Sequence, residues 1–294
     1  MSDCNSRPPA CDPVAASLLE DERWLSDQVE QLLAFASRRE PALAAPLRRI
    51  LDQANHHLPA RLPFWLMRAL SPKPLDAIAR VAALSHLFEA VTLADSTDRA
   101  AHYLLFAGVQ WSRDPWVRVV EDQIARSRAE RALSSRADRD PARLFAATVQ
   151  ERADHWTRSM RARVSDVMEL AVRGAAQVLE LPEAQENTLA AAVVQWSVGN
   201  EMFADLARLE ERCSLDNWVV LELLCDLSDE ERLYASTLHG TPAFERWVHE
   251  HAGLPAARAR TRTRADRLTH TGKCRLLEAT DGRSADYLGR LLGR

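Results

Sequence analysis

The chain has 294 residues, 47% of them hydrophobic and 27% charged, with a net charge of −4. That length buries a sizeable core, that composition is not a disordered chain's, and a slightly acidic total argues against a nucleic-acid partner. Nine glycines are few for a sheet protein with closely spaced turns. Alanine, leucine, arginine and glutamate dominate instead, so the composition predicts an all-α fold.

Residues 1–12 (MSDCNSRPPACD) read as a disordered lead-in. An amphipathic helix is expected from Pro13 to about Ser37, with Leu18, Leu25, Val29, Leu32 and Leu33 at helical spacings. A second is expected from Leu47 to about Asn55, and Pro59 and Pro63 are expected to break the chain before a helix over Phe64–Leu70. Leu75–Leu93 is apolar on most faces, the pattern of a helix at the centre of a bundle. Helices are then predicted over His102–Trp111, 115–134 and 141–181, the last stopped by Pro182. Further helices are predicted over Glu183–Arg212, Val219–Leu224, Asp229–Leu238, Pro242–His251, Leu254–His270 and Ser284–Leu292. This many helices without a repeat predict one large α-helical bundle over residues 13–294. Cys4, Cys11, Cys213, Cys225 and Cys274 show no CxxC spacing, which fits a reduced, cytoplasmic setting. No apolar run approaches the roughly 20 residues of a membrane span.

The second half resembles the trans-polyprenyl diphosphate synthases of the class I isoprenoid synthase superfamily. The carriers are Gly174-Ala175, Pro182-Glu183, Gly199, the acidic helix start Ser228-Asp229-Glu230-Glu231, and a tail from Gly253 through Asp266 to Tyr287 and Leu292. In the first half, VAALSHLFEAVTLADSTD stands where that family has its first aspartate-rich motif. The resemblance covers about residues 40–294 and is one of order and spacing. It implies a helical bundle that ionises an allylic prenyl diphosphate with Mg²⁺ held by carboxylates on two facing helices. Carboxylates three or four residues apart share one helix face, hence the family's DDxxD.

Here the first motif is Ala94-Asp95-Ser96-Thr97-Asp98, with alanine replacing the leading aspartate. The second region, Gly199 to Glu211, offers Glu201 and Asp205. The resemblance thus makes Asp95, Asp98, Glu201 and Asp205 the expected metal ligands. It also assigns Arg99 and Arg163 to catalysis, and Arg61, Arg161 and Phe88 to substrate binding. The bland alternatives are a helix cap at Asp95 or Ser96 with Asp98 in the first turn, and a solvated, ion-paired face at the second region, where Glu201, Asp205, Arg208 and Arg212 are suitably spaced. The family's Gly-Gly-Lys of the homoallylic site is missing from His56 to Pro63, where Arg61 alone remains. That loss favours ionisation with cyclisation or rearrangement over chain elongation. The competing readings are a noncatalytic regulatory or partner subunit and an unrelated helical scaffold. The resemblance also admits a homodimer.

Overall fold

The computed structural model describes residues 12–53, 58–70, 75–94, 98–112, 145–160, 165–210 and 213–292. They form α1 (Pro13–Arg39), a 3₁₀ turn (Pro41–Leu43), α2 (Ala44–Asp52), α3 (Leu58–Leu70), α4 (Leu75–Leu93) and α5 (Arg99–Ser112). After a gap in the description come α6 (Val149–Met160), α7 (Asp166–Val178), α8 (Glu183–Arg208), α9 (Trp218–Asp226), α10 (Asp229–Leu238), α11 (Pro242–Glu250), α12 (Leu254–Glu278) and α13 (Ala285–Leu291). The described residues contain no strand, and none of their helices is long and apolar enough to cross a membrane. The helix expected over 115–134 lies outside them, as do residues 1–11 of the lead-in.

Local chemistry sets several helix starts. Asp12, expected in the lead-in, caps α1: its Oδ1 accepts from the Val14 amide at 3.0 Å, and Pro13 supplies a preset first turn. Ser228 and Glu231 form a reciprocal capping box on α10, which explains the acidic helix start physically. Two expectations are corrected. Pro59 and Pro63 do not break the chain; both lie within α3, Pro59 in its first turn, where the missing N–H has no helical partner to lose. The helix expected from residue 141 to Leu181 is interrupted at Ala147-Thr148, before α6 begins.

α4 lies at the centre of the first half, against α1, α2, α3, α5 and α7. Its side chains from Ile78 to Thr92 are nearly all buried, as its lack of a polar face requires. One apolar core gathers α1 to α5, α7, the first half of α8 and the chain's end. A second gathers α6, the last turns of α8, and α9 to α12. The long pair α8 and α12 runs through both. A Cβ on Gly199 would stand 2.8 Å from the Thr269 amide nitrogen, and one on Gly272 would stand 2.7 Å from that of Trp196. Those two glycines let the antiparallel backbones approach where any other residue would hold them apart.

The chain's end is tied back to its beginning. Asp21 on α1 is 1% exposed, accepts from Arg68 Nη2 on α3 at 2.5 Å, and accepts from the Tyr287 hydroxyl on α13. Burial and the facing Asp21 push the Tyr287 phenol well above its ordinary range. This network fixes α13, and with it Leu291 and Leu292, against the bundle.

Candidate functional site

A cavity of about 600 Å³ opens where α3, α4, α7, α8 and α13 meet. Leu58 and Pro59 line it from the start of α3, Leu93 from the end of α4, Val167 and Met168 from α7, Leu291 from the last position of α13 and Leu292 from just after it. The longest wall is α8, which contributes Trp196, Ser197, Asn200, Glu201, Ala204 and Arg208, residues that recur at helical spacing. The size is that of a small-molecule site, and the walls are mostly apolar.

Its polar groups are few. Ser197 Oγ lies 2.8 Å from Ser165 Oγ and 2.9 Å from the Val194 carbonyl, so its hydroxyl is bonded. Glu201 Oε2 accepts from Arg208 Nη2 at 2.6 Å, two turns along the same face. Glu89, on the central helix, is 5% exposed and its Oε2 has no hydrogen-bond partner. Burial pushes its carboxyl up to about 7.

The residues singled out by the resemblance fall in different places. Asp98 caps α5: Oδ1 accepts from the Ala100 amide at 2.8 Å and the Ala101 amide at 3.4 Å. Arg99 follows it and is exposed. Asp205 shares α8 with the cavity wall but lies about 100° around the helix from Ala204. Its Oδ2 turns into the second core, accepting from Trp156 Nε1 at 3.0 Å and from the Trp218 amide at 2.8 Å, while Oδ1 lies 3.6 Å from Arg208 Nη2 in the ion pair expected of a solvated face. Burial raises its carboxyl above the ordinary value despite those hydrogen bonds. Arg61 pairs with Glu22 of α1 at 3.1 Å, and Phe88 is fully buried in the first core. Neither lines the cavity. Asp95, Arg161 and Arg163 lie outside the described residues.

Of the three described carboxylates expected to hold Mg²⁺, Glu201 alone reaches the cavity. Among the described residues no three His, Cys, Asp or Glu side chains converge as a metal cage. With Asp98 capping, Asp205 turned into the core and Glu201 on Arg208, the described residues do not compose a magnesium cluster.

A wider hollow of about 660 Å³ lies on the outer side of α8 and α12, beside Phe203, Arg258 and Arg262. No buried side-chain polar atom in its lining lacks a partner, and Arg258 is paired with Glu210. The arginines of α12 otherwise knit helices together: Arg260 and Arg264 both reach Glu222 of α9 at 3.2 Å. The first cavity is therefore the better candidate, since it alone of the two holds a buried acid without a partner.

The arrangement is that of the isoprenoid synthase fold. The decaprenyl diphosphate synthase of Rhodobacter capsulatus superposes with a TM-score of 0.67 at 17% identity, covering 94% of this chain and 98% of that one. A polyprenyl synthase of Roseobacter denitrificans gives 0.60 at 17% identity over 95% of both chains. A geranylgeranyl pyrophosphate synthase gives 0.55 at 13% identity, covering 91% of this chain and 90% of that one. No family model and no curated protein matches the sequence.

Glu89 is the residue that sequence reasoning missed. A signal was there: one carboxylate stands inside LSHLFEAVTL, on a helix otherwise apolar on most faces. A buried acid in such a helix is anomalous and asks for a partner.

Proposed function

We propose that the chain is a noncatalytic protein of isoprenoid synthase fold that holds a prenyl chain in the cavity between α4 and α8. The observation carrying this reading is the 2.6 Å pair between Glu201 and Arg208. It joins the cavity's expected metal ligand to its one described arginine, which Asp205 Oδ1 also approaches at 3.6 Å, so the cation is already engaged. The apolar walls, with Trp196 on one side and Leu291 and Leu292 on another, offer the burial a hydrocarbon chain seeks. Such a protein would present or sequester an isoprenoid, or serve as the regulatory partner of an active synthase.

The second reading is Mg²⁺-dependent ionisation of an allylic prenyl diphosphate, with cyclisation or rearrangement to follow. It draws on one feature of the same wall: Glu201 and Arg208 both face the cavity, so parting them would free an oxygen ligand and a phosphate-binding cation. Arg61 gives chain elongation less support, because it is engaged by Glu22 and is not in the cavity wall.

Pyrophosphate release separates the readings. The full chain is incubated with Mg²⁺ and geranyl, farnesyl or geranylgeranyl diphosphate in turn. We expect no release above the buffer rate with any of them. Release that needs Mg²⁺ and disappears in Glu201→Gln would establish the second reading.

A further inference from the structure

Among the described residues of the cavity, Glu89 is a buried acid that neither reading uses. Glu89 sits on the most buried helix of the fold, 5% exposed, and its Oε2 meets no donor. A carboxyl taken out of water without a partner is costly and is kept only where something offsets it. Of the other polar side chains described in this wall, exposed Asn200 makes no bond to Glu89 Oε2, and two are engaged elsewhere: Ser197 with Ser165 and Val194, and Arg208 with Glu201. Both of those side chains, like Glu89, line the same space.

We propose that the cavity takes a prenyl alcohol, whose hydrocarbon chain lies on the apolar walls and whose hydroxyl is bonded by the Glu89 carboxyl. This rests on the prenyl-binding reading above and names the head group. A hydroxyl suits the site because it both donates and accepts. With its carboxyl pushed up to about 7 by burial, Glu89 is near half-protonated at neutral pH, so it offers an acceptor in one form and a donor in the other. A diphosphate suits the described lining poorly, since among the described residues two acids outnumber one arginine, which is already paired.

The test is equilibrium dialysis of the full chain against farnesol, farnesene, farnesylamine and farnesyl diphosphate with Mg²⁺. Farnesene has a chain of the same length without the hydroxyl. Farnesol is expected to bind about tenfold or more tightly than farnesene, the size of one well-placed hydrogen bond to a carboxyl. In Glu89→Leu the two are expected to bind within about twofold of each other, while Glu89→Gln, still a donor and acceptor, retains most of the preference. The comparison on the unaltered chain decides the matter even if a variant misfolds. Equal binding of farnesol and farnesene would overturn the assignment to Glu89 and leave the prenyl cavity standing. Failure of both to bind would overturn the prenyl cavity itself. Tighter binding of farnesylamine than farnesol would replace the hydroxyl by an ammonium group, and tighter binding of farnesyl diphosphate would return the site to phosphate chemistry.

Discussion

The two helices that face each other across the cavity treat their acids in opposite ways. On α4, Glu89 stands among apolar side chains with Oε2 unpartnered. On α8, Glu201 is held by Arg208, while Asp205 accepts from two tryptophans, through the Trp156 indole and the Trp218 amide. Burial raises the Asp205 carboxyl too, but its hydrogen bonds oppose the shift. The difference teaches where function and structure divide. A buried acid with its bonds made is holding helices together, and one with a bond unmade, facing a cavity, is available to a ligand.

The largest effect should come from the satisfied acid. Asp205→Ala leaves the Trp156 indole N–H and the Trp218 amide without their acceptor inside the second core, and should destabilise the chain by about 3 to 4 kcal/mol in urea unfolding. Asp205→Asn keeps an acceptor and should cost about 1 kcal/mol. An equal, small cost for both would place Asp205 outside the structural role given to it here.

The unsatisfied acid should behave in the reverse sense. Because burial raises the Glu89 carboxyl from 4.5 to about 7, the folded chain binds its proton more tightly than the unfolded chain does. Stability should therefore be greatest below about pH 4.5 as far as this group is concerned, fall between 4.5 and 7, and level off above 7, a total of about 3 kcal/mol. Asp205 adds to the slope with the same sign. Glu89→Leu should abolish the Glu89 share and be more stable than the parent at pH 8 by up to about 3 kcal/mol. A variant less stable than the parent at pH 8 would mean that Glu89 is satisfied in solution.

Smaller effects sharpen the same contrast at the first aspartate motif. Asp98→Ala removes the cap of α5 and should cost about 1 kcal/mol, whereas Asp98→Asn, an equally good cap, should be neutral to thermal unfolding. A metal ligand would not forgive the loss of charge, so the asparagine variant distinguishes the roles. Arg61→Ala breaks an exposed pair with Glu22 and should move stability by no more than about 0.5 kcal/mol.

The scaffold was legible in the sequence because its signals are local. The apolar run Leu75–Leu93 and the Ser228/Glu231 pair announce α4 and the start of α10 with the bounds the structure gives them. Gly199 was noticed as a family position, and its physical reason, the close approach of α8 to α12, appears only with the fold. The site was legible only in part. Glu201 and Asp205 are four residues apart and read as one face, yet Ala204 and Arg208 centre the cavity stripe so that Asp205 falls beyond its edge. What draws Asp205 away is Trp156, 49 residues earlier in the chain, a partner that spacing cannot reveal. The capping role of Asp98 was among the readings of its motif in kind, although the cap itself was placed at Asp95 or Ser96.

The described acids of this cavity do not converge as a metal clamp. Isothermal titration of an unreactive farnesyl thiodiphosphate into the full chain, with and without Mg²⁺, tests it most directly. Mg²⁺ should leave the affinity unchanged within about twofold, since Glu201 is held by Arg208. An affinity raised about tenfold or more by Mg²⁺, and lost in Glu201→Gln, would contradict it.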